Sequence, residues 1–137
     1  MDEPNGIEFR VPAVRTAPAL ARRTVVGILP PLPREVSENL LLLTSEVVTS
    51  AIRHGSTQPH PDVIVRVDAD QRREDILVEV LSPGPAFDPP VPQPAVPRGM
   101  TTGLGLFLVD RLATRWGVAR EEDRTKVWFE VSREVAA

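Results

Sequence analysis

Seven prolines fall between residues 83 and 97, in the run PGPAFDPPVPQPAVPRG. Proline lacks a backbone N–H and fixes φ, so a helix interior or a central strand cannot carry prolines at this density. The run reads as a semi-rigid, extended loop. A loop this long inside a small domain is usually functional. The fold must come from the segments on either side of it.

Ahead of the loop, residues 7–11, IEFRV, alternate apolar and polar as a half-buried strand does, and Pro12 suits its end. Residues 16–28 predict a helix with Thr16 as N-cap and Pro18 in its first turn. Leu20, Thr24, Val25 and Ile28 are its expected inner face. LPPLP, 29–33, stops it. A second helix is predicted from Arg34 to His54, because Val36, Leu40, Leu43, Val47 and Ala51 recur at three- and four-residue spacing. Gly55 is its stop. DVIVRVDA (62–69) and EDILVEVLS (74–82), joined by a polar turn, read as an antiparallel hairpin.

After the loop, TTGLGLFLVDRLATRWG opens on a glycine pair and becomes a helix with Leu106, Val109, Leu112 and Ala113 as its stripe. VAREED and TKVWFEVSR form a second hairpin, with Val127, Phe129 and Val131 on one face. Trp116 and Trp128 are expected in the core. The order β-α-α-β-β-loop-α-β-β predicts an α+β fold: one two-layer sandwich over residues 1–137, a mostly antiparallel sheet with helices on one face.

Composition narrows the chemistry. A chain of 137 residues can bury roughly 68% of its unfolded surface, so it needs no disulfide or metal to hold a core. There is no cysteine, which removes thiol catalysis and thiolate zinc sites, and two histidines make a histidine-rich metal site poor. A net charge of −3 and a pI near 5.4 argue against direct nucleic-acid binding. No run of 18 apolar residues exists and the N-terminus lacks a signal pattern, so a cytoplasmic, non-membrane protein is expected.

On the second helix, Glu46, Ser50 and Arg53 or His54 stack on one face while Val47 and Ala51 point inward. Alone, this also fits a solvated face of an amphipathic helix. Gly103 and Gly105 at a helix start let backbone N–H groups approach an anion, with the dipole favouring phosphate. Alone, the pair also fits close packing of the helix on a strand.

In this order the pieces resemble the GHKL (histidine kinase-like) ATPase superfamily, which includes gyrase and the histidine kinases. The match is nearest to its anti-sigma factor serine/threonine kinases and short actinobacterial relatives. Ser45–Gly55 stands for a helix ending SE-V-TNA-RHG, Val80–Pro89 for an acidic turn V-D-G-G-FDP, and Thr102–Val109 for G-GLGL-LV. The resemblance implies the Bergerat fold, with ATP and Mg²⁺ bound between the second helix, the sheet and a lid. The lid is the proline-rich loop of about 83–100. It implies Glu46 as general base on a protein hydroxyl, and Arg53, His54, Gly84, Thr102, Gly103, Leu104, Gly105 and Leu106 around the nucleotide. It further implies a homodimer whose partner is a sigma factor or an anti-sigma antagonist.

Three positions depart from the family pattern. Ser50 replaces the asparagine that holds Mg²⁺, and a serine hydroxyl reaches less far into an octahedral shell. Ser82 replaces the aspartate that reads the adenine amino group, exchanging a charge-assisted bond for a neutral one of about half the strength. Ala86 replaces a glycine. Glu79 is no substitute, because it points to the other face of its strand. These departures favour a regulator with weakened or lost ATP binding over an active protein kinase that phosphorylates an anti-sigma antagonist.

Overall fold

The computed structural model describes residues 6–55, 62–83 and 106–135. In chain order they form strand β1 (Gly6–Pro12), helices α1 (Ala17–Ile28) and α2 (Arg34–Gly55), strands β2 (Asp62–Asp68) and β3 (Asp75–Leu81), helix α3 (Phe107–Leu112), and strands β4 (Arg115–Glu121) and β5 (Arg124–Ser132). The strands make one open antiparallel sheet in the order β1-β2-β3-β5-β4. The helices lie over one face of it, so the expected α+β architecture is present. The proline-rich run beyond Pro83 lies outside the described residues. Among the described residues, no helix is long and apolar enough to cross a membrane.

Strand alternation builds the sheet side of the core. Val63, Val65 and Val67 of β2, Ile76, Val78 and Val80 of β3, and Val127, Phe129 and Val131 of β5 all point under the helices. Cross-strand register aligns them, Val65 with Val80 and Val78 with Phe129. From above, α2 contributes Val36, Leu40, Leu43, Val47 and Ala51, the whole predicted stripe.

α1 departs from expectation. Its buried residues are Ala17, Ala21 and Val25, while Leu20 is 38% exposed. Small side chains on that face let α1 approach α2 closely, and Leu20 falls on the margin of the contact. Thr16 is the N-cap residue but makes no side-chain capping bond. Leu29 then turns extended (φ −69°, ψ 140°), as a residue before proline must.

α3 is shorter than the sequence suggests, ending at Leu112. Arg115, Trp116 and Gly117 are drawn into β4 instead, opposite Glu130, Phe129 and Trp128. Helix propagation adds one bond per residue, but pairing with β5 also buries Trp116 to 8% exposure. The Trp116 indole N–H donates to Asp110 Oδ1 at 3.0 Å, tying α3 to β4. Trp128 is not in that core. It lies half-buried on the opposite sheet face over Gly117, where an added Cβ would sit 2.8 Å from its ring.

The β4–β5 hairpin turns through Glu122 and Asp123, and Glu122 has φ 58°. Left-handed backbone costs a non-glycine residue about 1–2 kcal/mol, partly offset by the unfolded-state entropy that glycine adds. Glu122→Gly is therefore expected to raise stability by roughly 0.5–1 kcal/mol, read as a higher urea midpoint at unchanged slope. A loss of stability would mean that Glu122 holds the turn through its side chain.

The sheet face without helices carries charge. Arg66 of β2 reaches Glu8 at 3.0 Å, Glu79 at 3.6 Å and Glu121 at 2.6 Å, and Lys126 reaches Glu79 at 3.2 Å. Glu79 thus does lie on the face away from the helices. The hydrogen bonds from Arg66 hold the Glu121 carboxyl below its usual value, against a smaller opposing effect of burial. A lowered folded pKa gives stability that is fully present above the unfolded value and is lost as pH falls through the folded one. Acidification below the ordinary carboxylate range is therefore expected to remove this contribution. Arg66→Met is expected to cost roughly 1 kcal/mol at neutral pH and to flatten the acid limb of a stability–pH curve. An unaltered acid limb would show that the network adds nothing.

Candidate functional site

One end of the sheet gathers the start of β2, the end of β3 and the start of β5. The chain leaving α2 at Gly55 re-enters the sheet there at Asp62. Arg124 fastens this end, its Nη1 donating to the carbonyls of Asp62 and Ser82 at 2.8 Å each. α2 packs across β3 and β5.

Ser82 follows the last residue of β3 and is 2% exposed. Its amide N–H donates to the Thr125 carbonyl at 2.9 Å. Its hydroxyl oxygen accepts the Thr125 amide N–H at 3.0 Å. The side chain thus serves as an additional rung of the β3–β5 ladder, a use open to serine because its oxygen lies close to its own backbone. Thr125 is equally buried, at 2%.

On α2, Ser50 is 6% exposed and sits at the margin of the apolar stripe. Glu46, one turn earlier, is half-buried. The helix is bonded on itself around them: the hydroxyls of Thr44 and Thr49 donate to the carbonyls of Leu40 and Ser45 at 2.7 and 2.8 Å. Glu46 is the one acid in the second half of α2. Among the described residues, no three acidic or histidine side chains converge on a point.

Of the other residues singled out in the sequence, Leu106 is buried at 1% and joins the main core just ahead of α3. Arg53 and His54 lie in the last turn of α2, and their side chains fall outside the described residues. Gly84, Ala86, Thr102, Gly103, Leu104 and Gly105 also lie outside them.

Two residues were missed. Thr125 and Arg124 bind every backbone group of Ser82. For Thr125 a signal existed: it stands two residues before Val127, on the same face as Val127, Phe129 and Val131. Arg124 had none, because both carbonyls it holds, those of Asp62 and Ser82, lie far from it in the sequence.

An adenine amino group needs an acceptor, and Mg²⁺ needs oxygen ligands in octahedral array. Ser82 at this end of the sheet is buried and already accepts a backbone N–H, and Ser50 on α2 is buried as well. These residues fit Mg-ATP poorly.

The sequence model of the histidine kinase-like ATPase domain matches residues 11–131. No curated protein matches the chain.

Proposed function

This chain belongs to the histidine kinase-like ATPase domain family, and we propose that it acts as an anti-sigma-type regulator that works by binding a protein, with ATP binding weakened or lost. The partner in this reading is a sigma factor or an anti-sigma antagonist, and the working form is a cytoplasmic homodimer. The observation that carries the reading is Ser82. Where the family pattern places a base-reading carboxylate, this chain has a neutral hydroxyl, 2% exposed, whose oxygen accepts the Thr125 N–H. The serine at position 50 supports the same conclusion for the metal.

A second reading, an active serine/threonine kinase, has one observation in its favour. Glu46 is half-buried rather than sealed, and among the described residues it is in no ion pair. A carboxylate so placed can act as a base if a hydroxyl comes within hydrogen-bond reach.

Calorimetric titration of the protein with ATP, with and without Mg²⁺, separates the two. The binding reading expects no saturable heat and no rise in melting temperature with Mg-ATP, whereas a ligand at 100 times its Kd adds about 2.7 kcal/mol to stability. A micromolar Kd that depends on Mg²⁺ would sink the reading, and Glu46→Ala would then be expected to abolish phosphotransfer to a partner.

A further inference from the structure

Charge is unevenly spread along this chain. Residues 9–34 hold five arginines and no acid, a charge of +5 in a chain of net −3, so the remainder carries −8. This stretch contains the whole of α1. Arg34 at its end is paired with Glu38 at 3.0 Å. Among the described residues, none forms an ion pair with Arg15, Arg22 or Arg23, and all three are exposed. Close to them in the chain stand three exposed apolar side chains, Val14 at 48%, Leu20 at 38% and Val26 at 56%.

The outward face of α1 has helical order. Ala19, Arg22, Arg23 and Val26 stand at i, i+3, i+4 and i+7, opposite the buried Ala17, Ala21 and Val25. Gly27 beside Val26 has open space, with nothing within 4 Å of an added Cβ. The face is therefore small and apolar along its middle and guanidinium-bearing at its sides. Arginine forks bind carboxylates in bidentate pairs, and an unpaired cluster of them selects a negative partner.

We propose that the outward face of α1 is a docking surface for an acidic amphipathic helix of another protein. The charges set the sign of the partner, and the apolar side chains select a protein over other polyanions. A nucleic-acid surface tracks phosphates with polar or aromatic residues, and here the exposed neighbours of the arginines include valine and leucine and no aromatic. A membrane-surface helix needs a wide apolar face, and the wide apolar face of α1 is already buried under α2. Apolar anchors at i, i+4 and i+7 spacing, flanked by carboxylates, match what α1 presents. The inference deepens the protein-binding reading and rests on it for the class of partner, but its test uses no nucleotide.

Two synthetic helical peptides serve as probes, one with leucines at helical spacing flanked by glutamates, the other with lysines in place of the glutamates. The glutamate peptide is expected to bind the full chain at least about tenfold tighter than the lysine peptide, and less tightly at high salt. Arg22→Glu with Arg23→Glu is expected to weaken it by tenfold or more, with the far-ultraviolet circular dichroism unchanged because both side chains are exposed. Val26→Asp tests the apolar part of the surface and is expected to weaken the glutamate peptide as well. Equal binding of the two peptides, no binding of either, or indifference to the arginine variant would each overturn the proposal. So would tighter binding to phosphatidylglycerol vesicles or to a DNA duplex that the same variant abolishes. None of these outcomes bears on whether ATP binds, so the nucleotide titration stands or fails separately.

Discussion

Phe129→Ala is expected to lower stability by about 3–5 kcal/mol, the range for emptying a buried aromatic site. Phe129 is 0% exposed, on strand β5 between β3 and β4, opposite both Val78 and Trp116. Both sheet neighbours and the helical layer above lose their contact at once, and the strands on either side cannot move inward without breaking the ladder. Against a total of order 5–15 kcal/mol for a small domain, the variant stands near its folding threshold. Urea unfolding followed by circular dichroism reads the loss, with a fall in melting temperature on the order of 10 °C. Phe129→Leu, which keeps most of the volume, is expected to cost less than half as much. A loss below about 1 kcal/mol for Phe129→Ala would mean that the core is not centred on this strand.

The second large effect is a gain. On the proposed function, Ser50→Asn combined with Ser82→Asp is expected to raise ATP affinity by one to two decades, about 1.5–3 kcal/mol, by restoring the carboxylate and the amide that the family pattern has at these two positions. The change at position 82 need not break the sheet end, because a carboxylate also accepts the N–H that Thr125 now gives to the serine hydroxyl. It does place a charge at a site that is 2% exposed. The free variant is therefore expected to be less stable than wild type, and Mg-ATP is expected to recover the difference by mass action. Calorimetry and melting curves with and without nucleotide measure both. If the variant binds no better than wild type, these two serines are not what weakens the site.

Much of the fold was legible because its signals are local. The α2 stripe from Val36 to Ala51 is a spacing that one helix satisfies by itself, and every member is buried. The alternation in Val63–Val67 and Ile76–Val80 needs only a strand to make sense, and both strands stand where that alternation ends. The turn between β4 and β5 follows from the polar run that divides two such patterns.

The candidate site was legible only in part. Glu46, Ser50 and Ser82 could be named, but the use of Ser82 depends on Thr125, 43 residues further along the chain. Which side of α1 lies inward was also beyond local reasoning, since Ala21 and Leu20 are both apolar and only the closeness of α2 decides between them. Trp128 likewise reads as a core residue until β4 brings Gly117 opposite it on the other face.

The sequence by itself determined the elements, their order and the class of fold, because backbone propensity and hydrophobic period act over a few residues. Tertiary structure alone decided that the Ser82 hydroxyl is a rung of the sheet, that the helix after Leu106 stops at Leu112, and that the arginines of α1 face outward together. Each of these depends on strands and helices that meet from distant parts of the chain, and no local pattern records which groups such meetings will bury or leave bare.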